Sequence, residues 1–369
     1  MSLNSIWRYD DFLPAVADQH RVKLGEGQTP LLKSRTLGPL LGVKDLYFKL
    51  ENMNPTGSYK DRFAAAFVSI LRSKGQEICV ATSSGNTGAA LAAYCAASGI
   101  KCFVAIVDGA PLGKIKQMQI YGAHAYMVQG FGTDTEVTSR VFSLLEEITH
   151  SVGLPLPISA YRYCSEGMQG VQTIAYEILD DMQDEDVHIF SPAGGGGLTL
   201  SIAKGATEYA RKYPNTFLPV VHCVQPEGNN TIAGALRNNK KNARKIDFSR
   251  TEISGLQVPN ILDGDQTISA CRSLGGNGYI VSDRETFQWQ RLLGTKEGIF
   301  CEPAGAVALA GLAKAVEEKR INSTDKVVCL ITGSGFKDMQ TVDKYFALPQ
   351  PEYINSELLY QHIKKLSQG

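Results

Sequence analysis

One lysine of this chain stands where it could serve as a catalytic amine. Lys60 follows a turn marked by Gly57 and precedes the helical pattern of residues 63–72. Such a placement puts the amine near the start of a helix, within reach of a ligand bound at a turn. A lysine amine can form a Schiff base with a carbonyl group and then act as a proton-transfer base. Alone, the segment is more typical of a surface loop in which Ser58 starts a helix.

Three glycine-rich turns elsewhere in the chain give this lysine a chemical context. They occupy residues 83–88, 194–197 and 332–338. The second turn follows an apolar strand pattern, residues 187–190, and precedes a helical one. Its four amides could therefore close around an anion, because unpaired N–H groups and the helix dipole favour negative charge there. We predict a phosphate cradle at this turn, with a flexible helix entry as the alternative.

Two familiar nucleotide-binding motifs do not fit the chain. Gly113 and Lys114 are followed by Ile115 where a P-loop has Ser or Thr, and the four glycines give no Gly-x-Gly-x-x-Gly register. These mismatches disfavour ATP and NAD. They favour a phosphate-bearing cofactor whose chemistry needs a lysine.

The lysine segment and the glycine turns occur in an order that resembles the fold-type-II enzymes that use pyridoxal 5'-phosphate. Within that group the chain is most similar to the threonine synthases. The likeness runs from roughly residue 25 to residue 340, and its motifs are residues 25–31, 58–62, 84–87, 297–303 and 332–335. The resemblance implies pyridoxal phosphate as the cofactor, no metal, and an α/β fold of two doubly wound parallel-sheet domains with the tryptophan synthase β-like architecture.

The resemblance also implies which residues bind the cofactor. Lys60 would be the Schiff-base lysine, Asn86 would contact the ring hydroxyl, and Thr332 would pair with the pyridine nitrogen. The phosphate would lie at the four consecutive glycines, which are Gly194, Gly195, Gly196 and Gly197. Lys49 and Lys337 are rival amines, but Lys49 lies in a predicted strand and Lys337 lies beyond the last turn.

Substrate binding is implied for a second set of residues, which are Ser83, Ser84, Thr87 and Arg162. Ser84 and Thr87 would hold the substrate's α-carboxylate, and the planar guanidinium of Arg162 would bind a substrate phosphate. Capping of the following helix is the alternative role for Ser83 or Ser84.

The chain departs from the threonine synthase pattern at several positions. Ser159 and Ala160 replace an Asn-Pro pair, Ser334 stands where a His is common, and Phe63 stands where a Gly often follows. The four glycines also replace a Gly-Asn type of loop. These departures affect the expected substrate more than the expected cofactor.

Composition limits the partners and the redox chemistry. The 369 residues carry 37 basic and 37 acidic side chains, so the formal net charge is zero and no electrostatic footprint for nucleic acid is present. The eight cysteines form no CxxC pair and lie mostly in apolar runs, which favours buried free thiols over disulfides or a metal site. His188 and His222 lie in apolar strand patterns and are interpreted as core residues.

No apolar run is long enough to span a bilayer, and we expect a soluble, cytoplasmic protein. The resemblance implies that this protein forms a homodimer.

Strand and helix patterns alternate along the chain in two series, one from about residue 76 and one from about residue 171, which predicts parallel sheets covered by helices. We predict a large cofactor-binding domain of residues 1–62 and 157–348, a small mobile substrate domain of residues 63–156, and a tail helix within residues 349–369. The proline-containing stretch 153–157 would be the crossover or hinge.

The resemblance implies a lyase that converts O-phosphohomoserine and water to threonine and phosphate. Lys60 would remove the Cα proton, and Arg162 with Ser84 and Thr87 would orient the substrate. A β-elimination or β-replacement enzyme, similar to a serine or threonine dehydratase or a phosphoserine-using synthase, is the alternative. A non-catalytic amino-acid-binding protein is a further alternative, which the presence of Lys60 disfavours.

Overall fold

The computed structural model describes residues 5–83, 85–108, 110, 112–132, 134–182 and 187–366. The segment Met1–Asp338 forms one compact unit and Met339–Gly369 forms a second. No described helix is both long and apolar enough to cross a membrane.

A six-stranded sheet runs through the first unit. In spatial order its strands are β1 (Leu31–Lys33), β2 (Asp45–Leu50), β9 (Lys326–Ile331), β6 (Val187–Pro192), β7 (Val220–Pro226) and β8 (Gly278–Val281). All pairings are parallel except that of β1, which lies antiparallel to β2 at the edge. The parallel body agrees with the predicted α/β class, whereas β1, at three residues, is too short to give an alternating signal.

A second sheet has three parallel strands, β3 (Ile78–Thr82), β4 (Lys101–Ile106) and β5 (His124–Met127). All of it lies within residues 63–156, the predicted small domain. Whether that segment moves as a separate body stays a prediction.

The α-helices are, in chain order, α1 (Leu37–Leu41), α2 (Lys60–Ser73), α3 (Asn86–Ser98), α4 (Leu112–Ile120), α5 (Thr135–Ser151), α6 (Ser165–Met182), α7 (Gly197–Lys212), α8 (Ala233–Arg237), α9 (Gly264–Ser273), α10 (Asp283–Leu292), α11 (Pro303–Glu317), α12 (Met339–Tyr345) and α13 (Ser356–Leu366). Several have clear sequence causes. Asp134 caps α5, a Ser282–Glu285 capping box starts α10, and Pro303 begins α11.

Helix α2 is buried on nearly every side and packs closely on α6. A Cβ atom built on Gly170 of α6 would lie 2.1 Å from the carbonyl oxygen of Arg62, so only glycine allows this approach. The alanines Ala64, Ala65 and Ala66 keep the surface of α2 narrow and are fully buried. The start of α2, where Lys60 lies, is thus held against α6 by backbone contact.

A buried ion-pair network fixes the same end of α2. The Arg62 guanidinium donates to both carboxylates of Glu51 and Glu177, at 2.6 to 2.8 Å. Lys49 Nζ lies 2.8 Å from Glu177 Oε2 and donates to the Thr29 carbonyl oxygen. Burial opposes ionisation of Glu177, but the charges of Arg62 and Lys49 outweigh it and lower the pKa of Glu177 to about 2. The network therefore joins two cations to two carboxylates in the interior.

Removing the central cation should destabilise the whole unit. We expect Arg62→Met to lower the free energy of unfolding by about 3 to 5 kcal/mol, because Glu51 would stay buried without its charged partner and Glu177 would keep only Lys49. The matched control is Arg8→Met, since Arg8 pairs with Asp180 at 3.3 Å with nearly half of its side chain exposed. That change should alter stability by no more than about 1 kcal/mol. Urea unfolding measures both, and an equal loss in the two variants would contradict the role given to Arg62.

Candidate active site

Lys60 is the first residue of α2, and its amine points toward the segment that precedes α6. Its Nζ donates to Ser159 Oγ at 2.5 Å and lies 4.3 Å from the centre of the Tyr59 ring. Desolvation of the amine lowers the pKa of Lys60 to about 7, although the nearby carboxylates of Glu302 and Asp263 act to raise it. Near neutral pH a large share of this amine is uncharged and able to act as a base or nucleophile.

Ser159 links Lys60 to the turn that precedes α3. Its hydroxyl oxygen lies 3.2 Å from Thr87 Oγ1, in addition to accepting from Lys60. In the sequence, Ser159 stood out only as a departure from an Asn-Pro pair and was assigned no role. The structure makes it the connection between the lysine and a predicted substrate-binding residue.

Asn86, the first residue of α3, is held by a buried carboxylate. Its Nδ2 donates to both oxygens of Glu302, at 2.9 and 3.2 Å. Its Oδ1 is buried and has no hydrogen-bond partner among the described residues. Glu302 is a site residue that sequence reasoning did not select, although it lies in the motif 297–303 immediately before Pro303.

Thr332 follows β9 and lies beside the lysine turn. Its carbonyl oxygen accepts from the Tyr59 N–H at 3.1 Å, and Gly333 forms a backbone bridge with Ser58. Within the described part of the chain, the hydroxyls of Thr332 and Ser58 are buried without a hydrogen-bond partner. Buried polar atoms rarely stay unpaired, so these hydroxyls indicate a place for a polar ligand.

The four glycines follow β6 and lead into α7, with Gly196 at φ 97° and Gly197 as the first residue of the helix. Their carbonyl groups are engaged: that of Gly194 accepts from Gln225 Nε2, that of Gly195 from the Asp263 N–H, and that of Gly196 from Thr267 Oγ1. Among the described residues, none accepts a hydrogen bond from the N–H groups of Gly194, Gly195, Gly196 and Gly197. The turn therefore presents free donors at the N-terminus of α7, as an anion site requires.

Asp263 connects this glycine turn to the segment that contains Ser159. Its carboxylate accepts from the N–H groups of Tyr161 at 2.8 Å and Arg162 at 3.1 Å. Burial raises the pKa of Asp263, and the two backbone N–H groups oppose that change. Nothing in the local sequence around Asp263 marked it, because its partners lie about a hundred residues away in the chain.

The remaining predicted residues have different surroundings. The Ser83 hydroxyl accepts from the N–H groups of Gly85 and Gly88, whereas the N-cap residue of α3 is Gly85. Ser84 lies outside the described residues. The Arg162 side chain is exposed, and only its backbone N–H is tied to the site, through Asp263. The structure thus brings together Lys60, Thr87 and the residues around them, but does not bring the Arg162 guanidinium into a contact with them.

Comparison with known proteins identifies the family. The family described as pyridoxal-phosphate dependent enzymes matches residues 22–333. This chain belongs to that family.

Curated relatives extend the match over most of the chain. A threonine synthase of Methanocaldococcus jannaschii is 36% identical over 336 residues, which cover 90% of this chain and 80% of the relative. One of Halalkalibacterium halodurans is 33% identical and covers 98% of each chain.

Solved structures agree on the fold. Maize serine racemase matches with a TM-score of 0.71 at 21% identity, covering 100% of this chain and 99% of its own. The processed form of threonine deaminase isoform 2 from Solanum lycopersicum also matches with a TM-score of 0.71, at 22% identity, covering 94% of this chain and 91% of its own. The predicted fold-type-II architecture is confirmed.

The residues present fit pyridoxal phosphate, the cofactor of this family. The free N–H groups of the glycine turn suit a phosphate, and the unpaired hydroxyl of Thr332 suits a ring nitrogen. The amine of Lys60 has the low pKa that Schiff-base formation needs. Lys49 is committed to Glu177, and Lys337 donates to the Thr56 carbonyl oxygen and to Gln117, so neither rival amine has comparable surroundings.

Chemical trapping should identify the cofactor lysine. We expect borohydride reduction of the yellow holoprotein, followed by peptide mapping, to place a pyridoxyl group on Lys60, because this amine is both desolvated and placed beside the hydroxyl of Ser159. Lys49 and Lys337 serve as internal controls in the same map. A label on either of them, or protein that takes up no pyridoxal phosphate, would refute the assignment of Lys60.

The phosphate cradle can be tested by adding a charge to it. We expect Gly195→Asp to weaken pyridoxal phosphate binding on the order of 100-fold or more, because a carboxylate would face the phosphate in a desolvated turn. We choose Gly195 for the substitution rather than Gly196. Gly196 has a positive φ, and a Cβ at that position would lie 2.4 Å from Thr267 Oγ1. At Gly195 the nearest atom is the flexible Leu262 Cδ1, at 2.9 Å.

The control for this change is Gly294→Asp, because a Cβ at Gly294 would meet no atom within 4 Å. Cofactor affinity is measured by absorbance titration of protein freed of cofactor, and circular dichroism checks that each variant is folded. Equal affinity in Gly195→Asp and the wild type would place the phosphate elsewhere.

Proposed function

We propose that this protein is a threonine synthase, which converts O-phosphohomoserine and water to threonine and phosphate. The observation that carries the proposal is the match to threonine synthases at 30 to 36% identity along about nine-tenths of the chain. The amine of Lys60, with its lowered pKa and its hydroxyl neighbour, supports the reaction type.

Lys60 is the residue that moves protons in this proposal. Because its pKa is lowered to about 7, the amine is largely neutral above that pH and can take the Cα proton of the substrate. The same amine then transfers protons to and from Cβ, which permits loss of phosphate from Cγ before water adds at Cβ. Ser159, which accepts from Lys60 Nζ, limits the directions in which the amine can point.

When bound, pyridoxal phosphate supplies an aldehyde that condenses with amines and a ring that accepts the electron pair released when Cα loses its proton. Asn86, Thr332 and the four glycines would hold it, at the ring hydroxyl, the ring nitrogen and the phosphate. Glu302 fixes the Asn86 amide by accepting from Nδ2, which orients the side chain before any ligand arrives. Thr87, with Ser84, would hold the substrate's α-carboxylate at the N-terminus of α3.

Exclusion of water would come from movement of residues 63–156 toward the larger sheet. This segment contains the turn before α3, so closure would bring Thr87 onto the substrate and would remove bulk water from it. We also infer a homodimer, since dimers are usual among the enzymes that the chain resembles. Light scattering of the purified protein tests the oligomeric state.

A β-eliminating dehydratase of serine or threonine is the second candidate function. It is favoured by the exposed side chain of Arg162, because a substrate phosphate would need a cationic partner and a plain hydroxy-amino acid would not. The absence of the Asn-Pro pair before Tyr161 points the same way.

An assay that separates the two products tests both functions. We expect phosphate release from O-phosphohomoserine, with formation of threonine, and little keto acid from serine or threonine. Arg162→Ala should then lower kcat/KM for O-phosphohomoserine by roughly two to four orders of magnitude, since loss of a charge-assisted contact to phosphate costs about 3 to 5 kcal/mol, while the cofactor spectrum stays unchanged.

The control for this change is Arg211→Ala, which removes an exposed arginine from the last turn of α7. It should leave kcat/KM within about twofold of the wild type. If the wild type instead forms pyruvate or 2-oxobutanoate, ignores O-phosphohomoserine and tolerates Arg162→Ala, the dehydratase is the correct function.

A further inference from the structure

A cluster of three cysteine thiols lies in the core of the smaller sheet, apart from the active site. Cys79 on β3 and Cys102 on β4 are direct partners in the parallel ladder, and Cys95 reaches them from α3. The three sulfur atoms all lie within 4.8 Å of one another, and each residue is at most 3% exposed. All eight cysteines of the chain are free and buried, but among the described residues only these three form such a group.

The spacing of the sulfur atoms suits one ion bound by all three. Metal–thiolate bonds are about 2.3 Å long, so the sulfurs lie about 4 Å apart in a planar three-thiolate site and about 3.5 Å apart in a pyramidal one. The observed limit of 4.8 Å exceeds these spacings by about 1 Å, which side-chain rotation can supply.

The surroundings of the cluster decide which kind of ion would fit. The three cysteines belong to the apolar core, which also contains Phe67 and Leu91. His124 on β5 stacks on Phe103. Because Phe103 is the neighbour of Cys102 in β4, the two side chains point to opposite faces of the sheet. His124 therefore does not supply a fourth ligand. Three thiolates carry three negative charges. A monovalent or divalent cation would leave a net negative charge in an apolar core, which is costly, whereas a trivalent ion leaves none.

We propose that Cys79, Cys95 and Cys102 form a binding site for a trivalent element that binds thiolates, such as arsenic(III). The reaction is As(OH)₃ with three thiols to give an arsenic tris-thiolate and three molecules of water. Three S–H and three As–O bonds break, and three As–S and three O–H bonds form. No atom is oxidised or reduced, and no net charge is created in the core.

One member of the cluster lies beside a cavity. This cavity, of about 350 Å³ at the start of β3, is lined by Cys79, by apolar side chains and by the polar residues Gln76, Glu77, Thr149 and Ser151. Its apolar walls are contributed by Phe67, Leu71, Ile78, Ile148 and Leu154. Arsenous acid is small and uncharged near neutral pH, so it enters such a cavity without the desolvation penalty that a free cation meets.

The first test is arsenite titration of the full-length, cofactor-loaded protein, kept reduced with a phosphine in place of a thiol. We expect native mass spectrometry to show one arsenic per chain, with a gain of the arsenic mass less three protons. Arsenic X-ray absorption should count three sulfur neighbours and no oxygen. Two sulfurs, or a mixed sulfur and oxygen shell, would overturn the site, and this result does not depend on any variant folding.

The second test compares single cysteine variants of similar burial. Cys79→Ala, Cys95→Ala and Cys102→Ala should each weaken arsenite binding by about 100-fold or more, because the third thiol binds at the high effective concentration of a chelate. Cys329→Ala is the control, since Cys329 is fully buried in β9 and outside the cluster. Its arsenite affinity should equal that of the wild type.

Thermal unfolding gives a further readout. Arsenite should raise Tm in the wild type and in Cys329→Ala, since one ion would join β3, β4 and α3, but not in Cys95→Ala. Unchanged arsenite binding in Cys95→Ala would overturn the proposal. Zn²⁺ that binds the cluster and is not displaced by arsenite would also overturn the proposal. That result would contradict the argument that a divalent cation leaves a costly net charge in the core.

Discussion

The structure depends on one buried charge arrangement, the pairing of Arg62 with Glu51 and Glu177. It joins residues that lie 11 and 115 positions from Arg62 in the chain, so it ties the end of β2, α2 and α6 into one packed unit. Arg62 follows Lys60 by two residues. Any shift of α2 that moved the lysine amine would separate the guanidinium from its carboxylates, and a buried carboxylate without a partner is strongly unfavourable. The ion pairs therefore fix the position of the reactive amine.

The same network distinguishes the proposed catalytic lysine, Lys60, from one of its two rivals. Lys49, the rival nearest in sequence, supplies the second cation of the network and is fully buried beside Glu177. Lys337 is held by the Thr56 carbonyl oxygen and Gln117, close to the turn that precedes Lys60. In contrast, Lys60 contacts a neutral hydroxyl and an aromatic ring. A carboxylate in contact would hold the amine in its charged form, whereas these neighbours allow it to become neutral.

Local sequence patterns predicted the parallel strands well and the site contacts poorly. β6 contains the apolar run 187–190 that predicted a strand, and the four glycines follow this strand as expected. β8 has a weak strand signal because Gly276 and Gly278 interrupt the apolar pattern, and both must be glycine, since a Cβ would lie within 2 Å of a carbonyl oxygen. Ser159 and Glu302 were missed as site residues because their partners, Lys60 and Asn86, lie 99 and 216 positions away. No local pattern reports contacts of that range.

The charge on the two carboxylates near Lys60 depends on their hydrogen-bond donors and on any anion bound nearby. Glu302 and Asp263 act to raise the pKa of Lys60, yet desolvation dominates and lowers it. Both carboxylates are occupied by neutral donors, the Asn86 amide for Glu302 and two backbone N–H groups for Asp263, which spreads their charge. A phosphate at the glycine turn would add negative charge close to Asp263, and like charge favours the protonated acid. Because the Tyr161 and Arg162 N–H groups bind the Asp263 carboxylate in its charged form, phosphate binding would be electrostatically coupled to the position of the Ser159 segment.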